Sequence, residues 1–382
     1  MAGEVECEAG VSIEDLLRVL LPRGWFPPVT PGTKYVTVGG AIANDIHGKN
    51  HHRDGAFGAA VRELRLLTPA GETLICGPDR EPDVFWATVG GVGLTGFILS
   101  ARVRMLKVES AWLKVDYLRL KNLGELMREL ERSDAGYRYS VAWIDGLARG
   151  ASLGRGVLMR GNHALASELP ARMSNILWPA ARGRHNVPFD FPSFALNPLS
   201  IKAFNALYYA LHPDKQGQLV DYDSYFYPLD GLENWNRLYG RGGFTQYQVA
   251  FPNETSERGL TEVLERLAAG GRPSFLAVLK RFGPANPGWL SFPREGYTLA
   301  LDLPMRESLP KLLRDLDDRV VAHGGRLYTA KDALAGADAF RAMYPQVERF
   351  RELRKRLDPR GVLSSSLARR VGLVPRGGEA LR

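Results

Sequence analysis

A glycine pair followed by a crowded polar run, Val36-Thr-Val-Gly-Gly-Ala-Ile-Ala-Asn-Asp-Ile-His-Gly-Lys-Asn-His-His52, constrains this chain more than any other feature. Tyr35–Val38 reads as a short β-branched strand. Gly39-Gly40 after it would let the backbone approach a flat or phosphate-bearing ligand with no Cβ in the way. His47, Lys49, Asn50 and His51 then fall within five residues, ready to converge on that ligand. The same opening words recur in Thr88-Val-Gly-Gly-Val-Gly-Leu-Thr-Gly96. Two such turns predict two backbone walls of one cofactor cleft.

Periodicity sets the frame around them. Glu4–Ala9 alternates like a strand that lacks a partner in the local sequence. Ser12 with Asp15 caps an apolar helix that stops at Pro22 and Gly24. Arg62–Thr68 and Thr73–Cys76 flank Pro69-Ala-Gly71 as a hairpin, and Phe97–Met105 alternates as a further strand. Between Trp112 and Ala322 strand candidates recur at Tyr137–Ile144, Leu158–Arg160, Tyr222–Tyr227, Thr245–Phe251, Phe275–Phe282 and Tyr297–Leu303. Amphipathic helices are expected at Leu120–Arg132, Ser256–Ala269 and Glu307–Ala322. Leu177–Leu219, rich in proline, aromatics and asparagine, reads as long loops and short helices, a candidate lid. A final part holds one strand, a helix at Gln346–Leu357 and a stop at Asp358-Pro359. The fold class is therefore α+β: residues 1–110 as one unit, 111–325 as an antiparallel sheet covered by helices, and 326–382 as a return segment.

Composition narrows the function. The chain has 382 residues, is 45% hydrophobic and 24% charged, and carries a net charge of +8. No run approaches the ~20 apolar residues of a membrane span, and no secretory leader pattern opens the chain. Cys7 and Cys76 have neither disulfide-framework nor metal spacing, so a reducing, cytoplasmic setting is the default. The basic residues are scattered except near the end, from Arg351 to Arg370. That run reads first as a charged helix face and second as a patch peripheral to the inner membrane. No nucleic-acid signature accompanies it.

Gly91-Val-Gly-Leu-Thr-Gly96 matches the dinucleotide fingerprint only in letters, because a β-like segment follows it where a helix is needed. His47, His51, His52, Asp45 and Asp54 could suggest a metal site, but Gly48 breaks the run and removes the helical context a His-x-x-x-His pair needs, so no metal is expected; a plain hydrogen-bonded loop is the bland alternative. Gln246 and Gln248 lie two apart on a strand and point one way. Lys280 shares a face with Leu276, Val278 and Phe282. Amides and apolar faces together suit a sugar.

Val36–His52, Phe85-Trp-Ala-Thr-Val-Gly-Gly91, Phe244-Thr-Gln-Tyr-Gln248, Gly325-Arg-Leu-Tyr-Thr-Ala-Lys-Asp332 and Leu357-Asp-Pro359 together resemble the decaprenylphosphoryl-β-D-ribose 2′-oxidase family. That family lies within the vanillyl-alcohol-oxidase-type FAD superfamily. The resemblance implies a split FAD-binding domain flanking a substrate domain, non-covalent FAD, and a polyprenylphosphoryl-ribose substrate. It further implies hydride transfer from C2′ to the flavin, giving a 2′-keto sugar, and a separate NADH-dependent keto-reductase that completes epimerisation to the arabinose donor for cell-envelope polysaccharide.

Residue by residue, it implies catalytic roles for Lys331, His47 and Tyr328. Cofactor contacts fall to Gly32, Thr33, Val38, Gly39, Gly40, Ala43, Asn44, His47, Gly48, Lys49 and Asn50, with Tyr328 and Lys331. The second glycine turn adds Gly90, Gly91, Gly93, Leu94 and Gly96. Substrate contacts fall to Trp143, Gln246, Gln248, Leu276, Val278, Lys280, Phe282, Thr298 and Ala300, with Lys280 as a cationic rim that meets the phosphate. Two departures stand out. Ala300 and Thr298 replace the family's pocket cysteine and a neighbouring asparagine. A preceding Arg-Gly…Ser-Tyr-Gly-Asp pyrophosphate loop has no counterpart, so Met1 is expected to be a wrongly assigned start. The alternatives are an oxygen-using sugar, alditol or aldonolactone oxidase, and a truncated sugar-lipid binder without flavin.

Overall fold

A computed structural model describes residues 3–180, 183–192, 197–270 and 276–375. Two antiparallel sheets dominate it. The first contains β1 (Glu4–Glu8), β2 (Val61–Leu67), β3 (Thr73–Cys76) and β4 (Phe97–Arg104), in the order β1-β4-β2-β3. Glu4–Glu8 is not unpaired: it lies antiparallel to β4 from Glu4↔Arg104 to Glu8↔Ser100 and forms one edge. Helix α1 (Ile13–Leu20) is capped as its sequence predicts, with Ser12 accepting from the Asp15 amide at 3.0 Å and the Asp15 carboxylate accepting from the Ser12 amide at 3.2 Å.

The expected strand at Tyr35–Val38 does not form. Val38–Ala43 is instead a short helix, α2. Thr37 caps it by accepting from the Gly40 amide at 3.1 Å, so a side-chain cap outcompetes the β preference of the flanking valines. Gly39 is small for a packing reason: a Cβ there would lie 2.9 Å from Ala9 Cβ, against the chain leaving β1. The second glycine turn follows a helix, Pro82–Thr88, and docks on the end of α2 through Gly90 N–H to Ile42 O and Val92 N–H to Ala43 O. Phe97–Arg104 after it is a strand, as the rejection of the dinucleotide fingerprint requires.

The second sheet has eight strands: β5 (Trp112–Leu120), β6 (Tyr139–Ile144), β7 (Gly156–His163), β8 (Lys215–Asp221), β9 (Phe244–Phe251), β10 (Ala277–Phe282), β11 (Gly296–Pro304) and β12 (Arg326–Leu327). Their order is β8-β5-β7-β6-β10-β11-β9-β12. Phe275, the first residue of the predicted β10 segment, lies outside the described residues, as do 376–382 of the tail. Helices α3 (Leu123–Ser133), α4 (Pro198–Leu211), α5 (Asn253–Ala269), α6 (Leu309–Ala322) and α7 (Val347–Leu357) complete the frame. The apolar stripes of α3, α5 and α6 bury Leu126, Leu130, Leu260, Val263, Leu313 and Leu316.

Three expectations in this region need correction. Tyr222–Phe226 is a helix, because Asp221 caps it by accepting from the Ser224 amide at 2.9 Å. Leu177–Leu219 is more regular than read: it contains the 14-residue α4 and most of β8. The strands β5 and β8 were absent from the reading. In β8 the alternation is broken at Gly217, with φ of +62° and a register shift between Lys215 and Gln218.

Candidate active site

One face of the eight-stranded sheet walls a cavity of about 1280 Å³. Register builds that wall. Gln248 pairs with Ala300, Ala300 with Val278, and Val278 with Trp143, while Gln246 pairs with Asp302. Alternation then sends Gln246, Leu276, Val278, Lys280, Ala300, Asp302 and Trp143 into the cavity. The opposite wall comes from the polar run: Gly32, Thr33, Gly40, Asn44, His47, Gly48 and Lys49. Tyr328 and Lys331 close it from the return segment. The volume exceeds the roughly 300–1,000 Å³ of an ordinary small-molecule site, leaving room for a ring system beside a second ligand.

His47 sits at the centre. Its ring lies 4.8 Å from Phe282, 5.4 Å from Tyr328 and 5.8 Å from Phe292. Gln248 Nε2 is 3.0 Å from Thr298 Oγ1 and 2.9 Å from His47 Nε2. Thr298 spends its own proton on Val249 O at 2.8 Å, so the Gln248 amide donates to both neighbours. His47 Nε2 is then an acceptor, and the neutral ring carries its proton on Nδ1, which faces Lys280 Nζ at 3.3 Å. Burial first, then the charges of Lys280 and Lys331, hold His47 well below its ordinary pKa.

Lys280 and Lys331 act on this ring, and Lys49, which donates to Tyr225 O, acts on Lys280. Burial lowers Lys49 from 10.5 to about 7. Burial, then Lys331 and Lys49, lowers Lys280 to about 7 as well. Lys331 is lowered by burial and partly restored by Asp302. Asp302 is itself raised by burial against the opposing pull of Gln246, which donates to it at 2.9 Å, and of Lys331. The three half-buried amines are thereby shifted toward their neutral forms, and an anion beside them would favour their protonated forms. Lys280 is not at the rim: it contacts the central imidazole.

The sign of the linkage is definite. Between pH 7 and roughly 10.4 the unfolded chain binds protons on Lys49 and Lys280 that the folded chain has released. Their contribution to stability therefore rises with pH across that window. The unfolding midpoint of the ligand-free protein should climb from pH 7 toward pH 9, and Lys280→Met should flatten the slope by about one proton's worth. Equal slopes in thermal scans of the two proteins would contradict the assignment.

Other members of the polar run diverge. Asn50 donates to Pro28 O at 2.8 Å and to Asp54 at 2.7 Å. The Gly283 amide donates to His51 Nδ1 at 3.2 Å, and burial lowers His51 to about 3. Val38 and Leu94 are core residues, and Gly90, Gly91, Gly93 and Gly96 lie behind α2 rather than on the cavity wall. Thr298 shares the sheet face but is fully buried beneath Gln248, and Phe282 packs on His47 and His51. Gly48 must stay small because a Cβ would sit 2.6 Å from Asn50 Oδ1 and 2.9 Å from Thr30 O.

Two acids outside the expected site residues shape the cavity region. Asp302 lies two residues beyond Ala300 on the same face, and strand alternation would have found it. Asp45 is fully buried with φ of +41° and accepts from Gly58 N–H at 2.8 Å, Asn286 Nδ2 at 2.7 Å and the Ser291 hydroxyl. Its partners are distant in sequence, so no local pattern announces it.

Ala300 makes a direct test of the wall. Burial raises the Cys7 thiol to about 11 and Cys76 to about 12, leaving little thiolate at neutral pH. The native chain should resist a small thiol reagent under folded conditions, whereas Ala300→Cys should gain a single adduct by intact mass. Labelling of the native chain at the same rate would contradict this placement.

Among the described residues no group of three His, Cys, Asp or Glu could hold a metal ion, and no helix is long and apolar enough to cross a membrane. The residues present do fit a flavin: a large cavity, glycine-lined on one side, with three half-buried lysines on its walls.

Residues 2–77 match the FAD binding domain family, and residues 297–371 match the D-arabinono-1,4-lactone oxidase family. The chain is 40% identical to decaprenylphosphoryl-beta-D-ribose oxidase of Mycolicibacterium smegmatis over 97% of this chain and 81% of that protein. It is 38% identical to a Streptomyces coelicolor protein encoded in the mprA 5′ region, over 95% of this chain and all of that one. Cytokinin dehydrogenase 6 of Oryza sativa subsp. japonica is 32% identical over 33% of this chain and 25% of its own length.

Proposed function

The chain belongs to the decaprenylphosphoryl-β-D-ribose oxidase family of FAD-dependent oxidoreductases, and on that premise we propose that it oxidises the 2′-hydroxyl of a polyprenylphosphoryl-β-D-ribose to the 2′-keto sugar. The observation that carries this reading is that Lys49, Lys280 and Lys331 line one large cavity together with a neutral His47. Bound FAD supplies the hydride acceptor, which no side chain can be. Residues 1–110 and 326–382 would form a split flavin domain, with 111–325 as the cap.

The chain's own groups bind, orient and move the proton. Gln246, held by Asp302, offers a fixed amide to the sugar hydroxyls, while Gln248 fixes the His47 ring from beneath. Val278, Ala300 and Trp143 give the pentose an apolar face. Lys49 and Lys280 balance the phosphate, whose charge would raise both amines back toward the protonated state.

Hydrogen bonding narrows the choice of proton acceptor. Tyr328 donates its proton to Asn44 O at 3.0 Å, and burial raises its pKa. His47 Nε2 already accepts from Gln248, and Lys280 faces His47 Nδ1. Lys331 remains, with Asp302 nearby to stabilise the ammonium it becomes. A separate NADH-dependent keto-reductase would then complete the epimerisation.

The match of residues 297–371 to D-arabinono-1,4-lactone oxidase supports a second reading, an oxygen-using lactone oxidase. Supplying FAD-loaded protein with polyprenylphosphoryl ribose or with an aldonolactone, and comparing oxygen with a quinone-type dye, separates them. Dye reduction with the ribosyl lipid and recovery of the 2′-keto product is expected. Turnover of the lactone alone, with oxygen consumed, would replace the first reading by the second.

A further inference from the structure

Helix α4 is apolar on its outward side as well as its inward one, where Ile201 is buried. Asn197 caps it, accepting from the Leu199 amide at 2.8 Å and the Ser200 amide at 3.1 Å. Its inward side is anchored by a polar bond: Asn205 is buried and donates to Asp145 Oδ1 at 2.7 Å, and Asp145 is paired with Arg155 at 2.8 Å. Tyr208 lies on the same side, 4.5 Å from Trp143. Its outward side is aliphatic. Leu199, Leu207 and Leu211 are 80%, 58% and 64% exposed, and Ala203, Ala206 and Ala210 are exposed beside them. Leu199, Ala203, Leu207 and Leu211 recur every four residues and form one stripe, ~18 Å long at the helical rise. The helix contains no acid, and its one charge is the exposed Lys202.

A protein partner normally meets an apolar patch rimmed by mixed polar groups, whereas an uninterrupted aliphatic stripe with a lone cation suits the headgroup–acyl boundary of a bilayer. The stripe is also continuous with the cavity, because Phe204 and Tyr208 of the same helix line its wall. A second exposed apolar point, Phe189 at 63% exposure and stacked on Phe191, belongs to the segment that pairs with Leu232–Glu233, which also lines the cavity.

We propose that the outward face of α4 seats in a lipid leaflet and that the prenyl tail of the substrate leaves the cavity along this helix into the same leaflet. The seating stands on the helix alone; the route of the tail rests on the oxidase reading above.

The test uses the FAD-loaded full chain and vesicles of phosphatidylcholine doped with phosphatidylglycerol. The native chain should float with the vesicles. The triple variant Leu199→Asp/Leu207→Asp/Leu211→Asp should bind at least tenfold more weakly, while keeping its flavin, its unfolding midpoint and its turnover of a short-tailed, water-soluble ribosyl phosphate. Its turnover of long-tailed substrate embedded in vesicles should fall by a similar factor. A Leu207→Cys chain carrying a polarity-sensitive fluorophore should shift to the blue on adding vesicles, a readout independent of the triple variant's folding.

Flotation unchanged in the triple variant, or no spectral shift at position 207, would overturn the proposal. So would a self-associating native chain that the triple variant renders monomeric, since a second copy would then own the face. Vesicle binding without turnover of either substrate would sink the oxidase reading and the tail route but leave the seating intact.

Discussion

Lys331→Ala is expected to lower kcat by about 10²–10³-fold while the protein retains its flavin, within the range typical of removing one general base from a reacting centre. The residue sits at the junction of the two cavity walls, close enough to His47 and Asp302 for their charges to interact. Burial already lowers its pKa, so less free energy is needed to hold the amine neutral and ready to accept a hydroxyl proton. Losing the amine should also flatten the acidic limb of the kcat profile, where protonation of the base removes activity. Lys331→Met, similar in volume, separates charge from packing and should behave like the alanine variant. Steady-state kinetics with a quinone-type dye and the visible flavin spectrum measure both quantities. Turnover within twofold of the native rate, with flavin bound, would remove Lys331 from the chemistry.

Asp45→Ala is expected to destabilise the fold by at least about 3 kcal/mol, because three buried donors lose their acceptor at about 1–3 kcal/mol each. Gly58 N–H, Asn286 Nδ2 and the Ser291 hydroxyl all converge on this carboxylate. Two of them come from the loop between β10 and β11, so the residue stitches the glycine-rich segment to the large sheet. It also turns the chain at φ of +41°, directly before Ile46 and His47, a conformation alanine adopts poorly. Asp45→Asn keeps one acceptor and tolerates the left-handed backbone, so it should fall between native and alanine. Denaturant unfolding measures the order; an alanine variant as stable as the native chain would show that the loop is held by other contacts.

The limits of sequence reading follow from these same residues. The central strands β9, β10 and β11 were legible because period-2 alternation and β-branched or aromatic residues agree there. The faces of Gln246, Gln248, Val278 and Lys280 followed from parity alone. The caps at Thr37 and Asp221 were not: one hydroxyl and one carboxylate turn β-looking segments, Val36–Val38 and Tyr222–Phe226, into helix starts. The two glycine turns were legible as close-packed backbone but not in purpose. Gly39 makes room for Ala9, whereas Gly40 and Gly48 face the cavity. Proximity in sequence also misled. His47 and Lys49 point into the cavity, while Asn50 and His51 turn away to hold loops. Lys280 is expected on a covered sheet surface from its apolar strand, and at the rim only because a phosphate needs a cation. Only tertiary packing reveals that an imidazole covers it at 3.3 Å.

The most direct measurement mixes FAD-loaded protein with polyprenylphosphoryl ribose under anaerobic conditions and follows the visible flavin band, using substrate with protium or deuterium at C2′. Bleaching of the band, slowed by deuterium, and formation of the 2′-keto sugar are predicted. A band that stays oxidised, or bleaches at a rate deuterium at C2′ leaves unchanged with no keto sugar formed, would contradict the account.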